Sequence, residues 1–260
     1  MSDESSQKQG LFTPLLSGLA GTGRCLLFLF RLLSGLRFDL VQMQNILQQT
    51  YLIGARSLVI IMICGFFVGM VISLQSINAL EQFGASNQVS LLVGKSMFRE
   101  LGPVLTALLF AGRAGTSITA EIGLMKATSQ LDAMELMAID PVHRIALPRF
   151  MAGLLSVPLL TAVFNALAIM GSVVFSIGVM DLDAGIYWSN LQNSVFFGKD
   201  FMGGIWKSVF FGGLISLVSV FYGYTCKPTG AGVGTATTNT VVLSSVLILV
   251  FDFILTSFFV

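Results

Sequence analysis

The sequence is poor in the residues that most catalytic and metal sites require. Its 260 residues include one histidine, three cysteines and six prolines, and only 10% carry a formal charge. With His143 alone, no second imidazole exists for a histidine metal site or proton relay. Cys25, Cys64 and Cys226 stand far apart without CxxC or Cys/His spacing, so neither zinc nor a disulfide framework is indicated, and they read as packing residues. A net charge of +1 leaves no clustered basic surface for nucleic acid. There is no GxSxG elbow, no HExxH and no cysteine placed with His143, so no catalytic site is expected. Gly94, Lys95 and Ser96 mimic the end of a Walker A loop, but Val89 stands where its first glycine belongs, which excludes a P-loop here. Gly230, Gly232 and Gly234 do not complete GxGxxG and read as a turn. The opening MSDESSQKQG is polar and lacks a basic region followed at once by an apolar core and a small-residue cleavage site, so no cleaved signal peptide is expected.

Apolar residues make up 55% of the chain, and its charged fraction falls well below the ~25% of soluble domains. This is the composition of an all-α integral membrane protein. Long runs at 57–80, 150–180, 208–226 and 228–251 are free of charge, and each meets or approaches the ~20 residues that cross hydrocarbon. A fifth span, about 87–119, contains Lys95, Arg99, Glu100 and Pro103, and is expected to kink near Gly102 and Pro103. Five spans use nearly all the length, so residues 11–260 form one membrane domain behind a polar tail at 1–10. Within 11–38, Ser17, Arg24 and Arg31 recur every seven residues while leucines and phenylalanines fill the remaining faces. That pattern predicts an amphipathic helix in the membrane interface.

Basic residues orient the spans. Lys8, Arg24, Arg31, Arg37 and Arg56 precede the first span, Lys126, Arg144 and Arg149 separate the second from the third, and Lys227 follows the fourth. Lys199 is alone on the other side, beside Asp181, Asp183 and Asp200. The rule that basic loops stay inside places the amino terminus and the 112–149 loop in the cytoplasm and the carboxyl terminus outside. The outer loop with Tyr187 and Trp188 is expected to hold a short interfacial helix. An odd span count without an internal repeat requires a second copy for any two-fold pathway, so a homodimer is expected. Gly65 and Gly69 form a GxxxG that suits either helix pairing between copies or packing within one chain.

The stretch 112–149 is too polar for hydrocarbon. Ser129 and Asp132 have capping-box spacing and Asp140 precedes Pro141, predicting a helix over about 130–139 with Leu131, Met134 and Ala138 on one face. Such a helix either enters a groove on another protein, with Met134 and Met137 adapting to it, or folds back on its own bundle. Gly112, Arg113, Ala120, Glu121, Gly123, Met125, Gln130, Asp132, Ala133, Met137, Asp140, Pro141, Pro148 and Arg149 together resemble the signature of the MlaE (YrbE) permease family. Similarity extends upstream through Arg99, Glu100, Gly102 and Pro103 and over nearly the whole chain after the amino-terminal arm.

The resemblance implies a permease subunit of an ATP-driven ABC transporter in the bacterial inner membrane. Such a complex passes phospholipid between that membrane and a periplasmic MCE-domain partner and maintains outer-membrane lipid asymmetry. ATP and Mg would sit on a separate ATPase subunit, with no cofactor in this chain, and a small STAS-domain protein is a further implied partner. Residues 121–149 would be the coupling loop, with Glu121, Leu131, Asp132, Met134, Glu135, Ala138 and Asp140 meeting the ATPase.

Charges at membrane depth form the other candidate site. Counting 1.5 Å per residue places Arg99 and Glu100 roughly 20 Å down, Lys207 about 10 Å and Asp252 about 12 Å. Charges there are costly and should face a cavity or each other. Lys95, Arg99, Glu100, Lys207 and Asp252 therefore either line a route for an anionic headgroup or pair to knit helices together, while Phe66, Met70 and Leu74 offer apolar surface to acyl chains. Two rival readings remain: an ion-coupled secondary transporter titrating Glu100 and Asp252, and a membrane scaffold that transports nothing.

Overall fold

A computed structural model describes residues 23–25, 27–32, 34 and 40–259. The described residues are helical throughout apart from short connections. The helices are α1 (Leu40–Glu81), α2 (Ser86–Ala127), α3 (Gln130–Leu136), α4 (Val142–Gly178), α5 (Ala184–Ser194), α6 (Met202–Thr225) and α7 (Gly230–Phe259). Among them α1, α2, α4, α6 and α7 are long and apolar enough to cross a membrane, the five spans that the composition predicts. Lipid cannot satisfy a free backbone donor or acceptor, so each span keeps its hydrogen bonds internal by being helical from end to end.

The helices outrun the uncharged stretches. The 42 residues of α1 start at Leu40, well before the apolar run at 57, because the intervening glutamines, leucines and Met43 are strong helix formers. Pro103 and Pro148 each follow a π-helical turn, at Met97–Leu101 and Val142–Ala146, which widens the helix where the proline ring would meet the carbonyl four residues back. A third π turn, Ala111–Gly115, sits around Arg113. The polar tail at 1–10 and, within the expected 11–38 helix, residues 11–22, 26, 33 and 35–38 lie outside the described residues; residues 23–25, 27–32 and 34 are helical. Leu32 is fully buried, whereas Leu27 and Phe30 are exposed. Burial pushes the Cys25 thiol up from its ordinary value, which suits a packing residue.

Small residues let α1 and α4 touch along most of their length. A Cβ on Gly69 would stand 1.9 Å from the Ala168 carbonyl oxygen, one on Gly65 2.9 Å from that of Phe164, and one on Gly171 2.0 Å from that of Phe66. The GxxxG of the first span is thus consumed inside the chain. Phe110, Phe164, Phe211, Ile215 and Ile61 fill the middle of the bundle, and a second cluster of Leu32, Ile122, Leu131, Val142, Phe150 and Val220 fills the end carrying the 121–149 loop. Hydroxyls stitch helices across the core: Ser73 with Ser176 at 2.5 Å, Ser172 with Tyr187 at 2.8 Å, and Thr119 with Thr240 at 3.0 Å. At the far end, α5 is capped by Asp183, whose carboxylate accepts from the Ile186 amide, and buries Tyr187 and Leu191 while exposing Trp188. Only 11% of the most apolar stretch of α7 is buried, against 56% in α2 and α6, so α7 presents most of its surface outward.

Replacing Gly69 by leucine should cost about 3 kcal/mol or more, since its neighbour is backbone and cannot move aside. Thermal unfolding in detergent should show the loss for Gly69→Leu and none for Gly234→Ala, whose site is open.

Candidate functional site

The loop end of the bundle is a rigid platform with one apolar rim. The expected capping box does not form: Ser129 takes φ 54° and its side chain makes no cap bond, because it serves as the left-handed terminus of α2, its amide bonding the Lys126 carbonyl. The helix also stops at Leu136, three residues short of the expected 139. Ala138 turns left-handed at φ 59°, with its amide on the Glu135 carbonyl and the Ile139 amide on that of Met134, the Schellman closure usually given to glycine. Two left-handed residues thus bracket α3 and fix its direction.

Five of the seven residues expected to meet an ATPase are tied to the chain itself. Leu131 is buried in the loop-end cluster and Met134 packs against it, so this face folds back on its own bundle. Glu121 pairs with Arg149 at 3.2 Å, joining α2 to α4. The Asp140 carboxylate accepts the Val142 amide at 2.9 Å, capping α4, and lies 3.5 Å from both Arg31 and His143. Glu135 accepts from the Tyr224 hydroxyl at 3.2 Å but is otherwise exposed, as are Asp132 and Ala138. On α3 and the turn after it, the large apolar side chains left open are Leu136 (89% exposed), Met137 (64%) and Ile139 (41%).

The charges toward the far end resolve into two pairs. Lys207 is buried and donates to Asp252 at 3.3 Å and to Thr256 at 2.7 Å, tying α6 to α7 as the pairing alternative anticipated. Arg99 pairs with Asp200 at 3.4 Å, and the buried Asp200 also accepts the Phe196 amide. The depth expected for Arg99 and Glu100 is corrected by this geometry. Gly204 backs onto the Phe98 carbonyl and the Phe98 ring meets Phe201, so Arg99 stands level with the first turn of α6 and not halfway along the bundle. The residue count failed because the first part of α2 packs beneath α5, with Gly94 against Leu191 and Val195, before the crossing begins. Lys95 and Glu100 are exposed and form no ion pair among the described residues. On α1, the backbone of Phe66 and Met70 lies against Gly171 of α4 and both residues are half-buried, whereas Leu74 belongs to an exposed stripe with Ile63, Phe67 and Val71.

Four residues that position these sites are not among the candidate site residues named from the sequence. Arg113 donates to Ser57 at 3.1 Å and to the Ile53 carbonyl at 3.4 Å, joining α2 to α1. Asp200, Thr256 and Tyr224 complete the pairs above. Spacing along the chain could not find them, since each partner lies on another helix.

Residues 46–258 match the family described as Permease MlaE. The chain belongs to the MlaE permease family. A relative from Haemophilus influenzae, the intermembrane phospholipid transport system permease protein MlaE, is 47% identical over 82% of this chain and 81% of its own length. A probable ABC transporter permease protein of Rickettsia prowazekii is 35% identical over 90% of each chain. The chloroplastic protein TRIGALACTOSYLDIACYLGLYCEROL 1 of Arabidopsis thaliana is 30% identical over 96% of this chain and 68% of its own. The stretch whose resemblance pointed to the family lies within that match and ends in the loop-end platform.

Two outcomes follow from the geometry. Asp252→Ala, which leaves the buried Lys207 ammonium without its counter-charge, should destabilise the fold by about 3 kcal/mol, and Lys207→Met with Asp252→Leu should recover most of it, read by thermal unfolding in detergent. Ala138→Gly should stabilise the loop by about 0.5 to 1 kcal/mol by relieving the left-handed penalty, seen as slower amide exchange over 130–141.

Proposed function

We propose that this chain is the permease subunit of an ATP-driven transporter that moves phospholipid between the inner membrane and a periplasmic MCE-domain partner, and so sustains outer-membrane lipid asymmetry. The observation that carries this reading is the family match over 46–258, together with the 47% identical relative named for intermembrane phospholipid transport. ABC permeases among the other relatives support a separate ATPase as the energy source. The basic residues around the 121–149 loop favour a cytoplasmic loop end and amino terminus, with the carboxyl terminus outside. A homodimer supplies the second half of the pathway, and a small STAS-domain protein is a further cytoplasmic partner.

In this reading α3 is the coupling helix, and its docking rim is Leu136, Met137 and Ile139, with Asp132 and Ala133 beside it. These are the side chains free to enter another protein's groove, and Met137 supplies an adaptable contact. The lipid route begins at the far end, where exposed Lys95 and Glu100 and the partly exposed Arg99 offer polar contacts above the apolar stripe that includes Leu74. Lys207 and Asp252 serve as an interhelical tie beside it. Relatives described as probable ABC transporter permeases favour this reading over an ion-coupled carrier.

Co-purification with the ATPase and reconstitution with labelled phospholipid test the proposal. Met137→Glu should lower the bound ATPase about tenfold or more while the chain stays folded, since it places a charge at the centre of the rim. Met134→Glu should instead lower the melting temperature, because that side chain packs against the chain's own core. A wild-type chain that binds no ATPase and moves no lipid on ATP addition would refute the assignment.

A further inference from the structure

The loop end of α6 finishes on a residue shared by several parts of the chain. The Tyr224 hydroxyl donates to the Glu135 carboxylate of α3 at 3.2 Å. Its carbonyl accepts from Lys126 at the end of α2, 2.7 Å away. Its ring stands 5.8 Å from that of Phe28 in the amino-terminal helix, and Phe28 meets Phe221 edge-on at 5.9 Å. The same amino-terminal helix reaches the loop twice more, through Arg31 to Asp140 and through the fully buried Leu32 in the cluster with Leu131 and Val142.

Helix α3 has only seven residues, too few to hold a helix by themselves, so its placement depends on what grips it. Leu131 and Met134 provide an apolar contact without directional preference. Among the described residues, the bond from Tyr224 to Glu135 is the only side-chain hydrogen bond between α3 and a spanning helix. Roughly 25 Å of uninterrupted helix separates Tyr224 from Lys207, whose tie to Asp252 fastens the far half of α6 to α7. Helix α6 is therefore a stiff rod, packed along its length against α2 and α4, bonded at one end to α3 and at the other to α7.

We infer that Tyr224 is a positioning residue for transport: it makes α3 and the loop end of α6 move as one body, and Phe28 of the amino-terminal helix holds its ring in place. The inference rests on the proposed docking of α3 to an ATPase. A displacement of α3 then reaches the Lys207–Asp252 tie through α6, and without the phenol hydroxyl the same displacement is partly lost as slippage on an apolar contact.

The test is lipid moved per ATP hydrolysed, measured on the complex of full-length chain and ATPase reconstituted in phospholipid vesicles. Tyr224→Phe keeps the ring against Phe28 and removes only the donor. It should bind ATPase in wild-type amount yet lower the lipid-to-ATP ratio about threefold or more. Glu135→Leu should lower the ratio likewise, counted per ATP hydrolysed by whatever complex assembles, while Glu135→Gln, whose amide oxygen still accepts the phenol proton, should keep the ratio within about twofold of wild type. A merely structural role would reduce the amount of assembled complex and leave the ratio unchanged, and that result overturns the inference. So does a wild-type ratio in both Tyr224→Phe and Glu135→Leu. A wild-type chain that carries no ATPase at all overturns the underlying reading instead.

Discussion

Hydrocarbon supplies no hydrogen-bond partner, so a chain that crosses it must satisfy every backbone group and every charge from within. Each feature of this fold answers that demand. The backbone commits to helix, with π turns placed where proline would otherwise strain it. Hydroxyls bond across helices at Ser73 and Ser176, and at Thr119 and Thr240. Charges that cannot stay in water are paired, Lys207 with Asp252 and Arg99 with Asp200. Seven of the 27 formally charged residues gather in the loop from Glu121 to Arg149.

Packing between the spans follows from the absence of a hydrophobic driving force inside lipid, which leaves close contact as the main source of attraction. Glycine provides it. Gly65, Gly69 and Gly171 bring α1 and α4 into backbone contact, and this seam leaves α1 unavailable for the helix pairing between copies that its GxxxG allows in principle. The most open span is α7, so contacts to lipid or to a second copy have most surface there.

The loop end combines stiffness with exposure. Left-handed turns at Ser129 and Ala138, the Glu121–Arg149 pair and the Asp140 cap hold α3 against the bundle. Leu136, Met137 and Ile139 stay bare on its outer side. A rigid mount with an apolar rim suits a coupling element, because force applied to the rim reaches the membrane helices without first bending the loop. The amino-terminal helix belongs to the same mount through Phe28, Arg31 and Leu32.

Much of this was legible before any coordinates. Four uncharged runs and one apolar run that carries charge count out five spans because crossing length is set by the bilayer, and the polar stretch between the second and third spans declares itself because its charges cannot be buried. The fourteen residues picked out between Gly112 and Arg149, with Glu121, Gly123, Asp132 and Asp140 among them, resemble the family's signature, and the family match over 46–258 agrees. Partnership across helices was not legible. Which face of α3 is inward, which acid pairs with Arg99, and how deep that arginine lies depend on helices far apart in sequence. Capping spacing at Ser129 misled for the same reason, since the preceding helix had already claimed that residue as its end. Sequence determined how many rods there are and where water must be; only the packing of those rods decided which side chains hold the structure and which remain free to act.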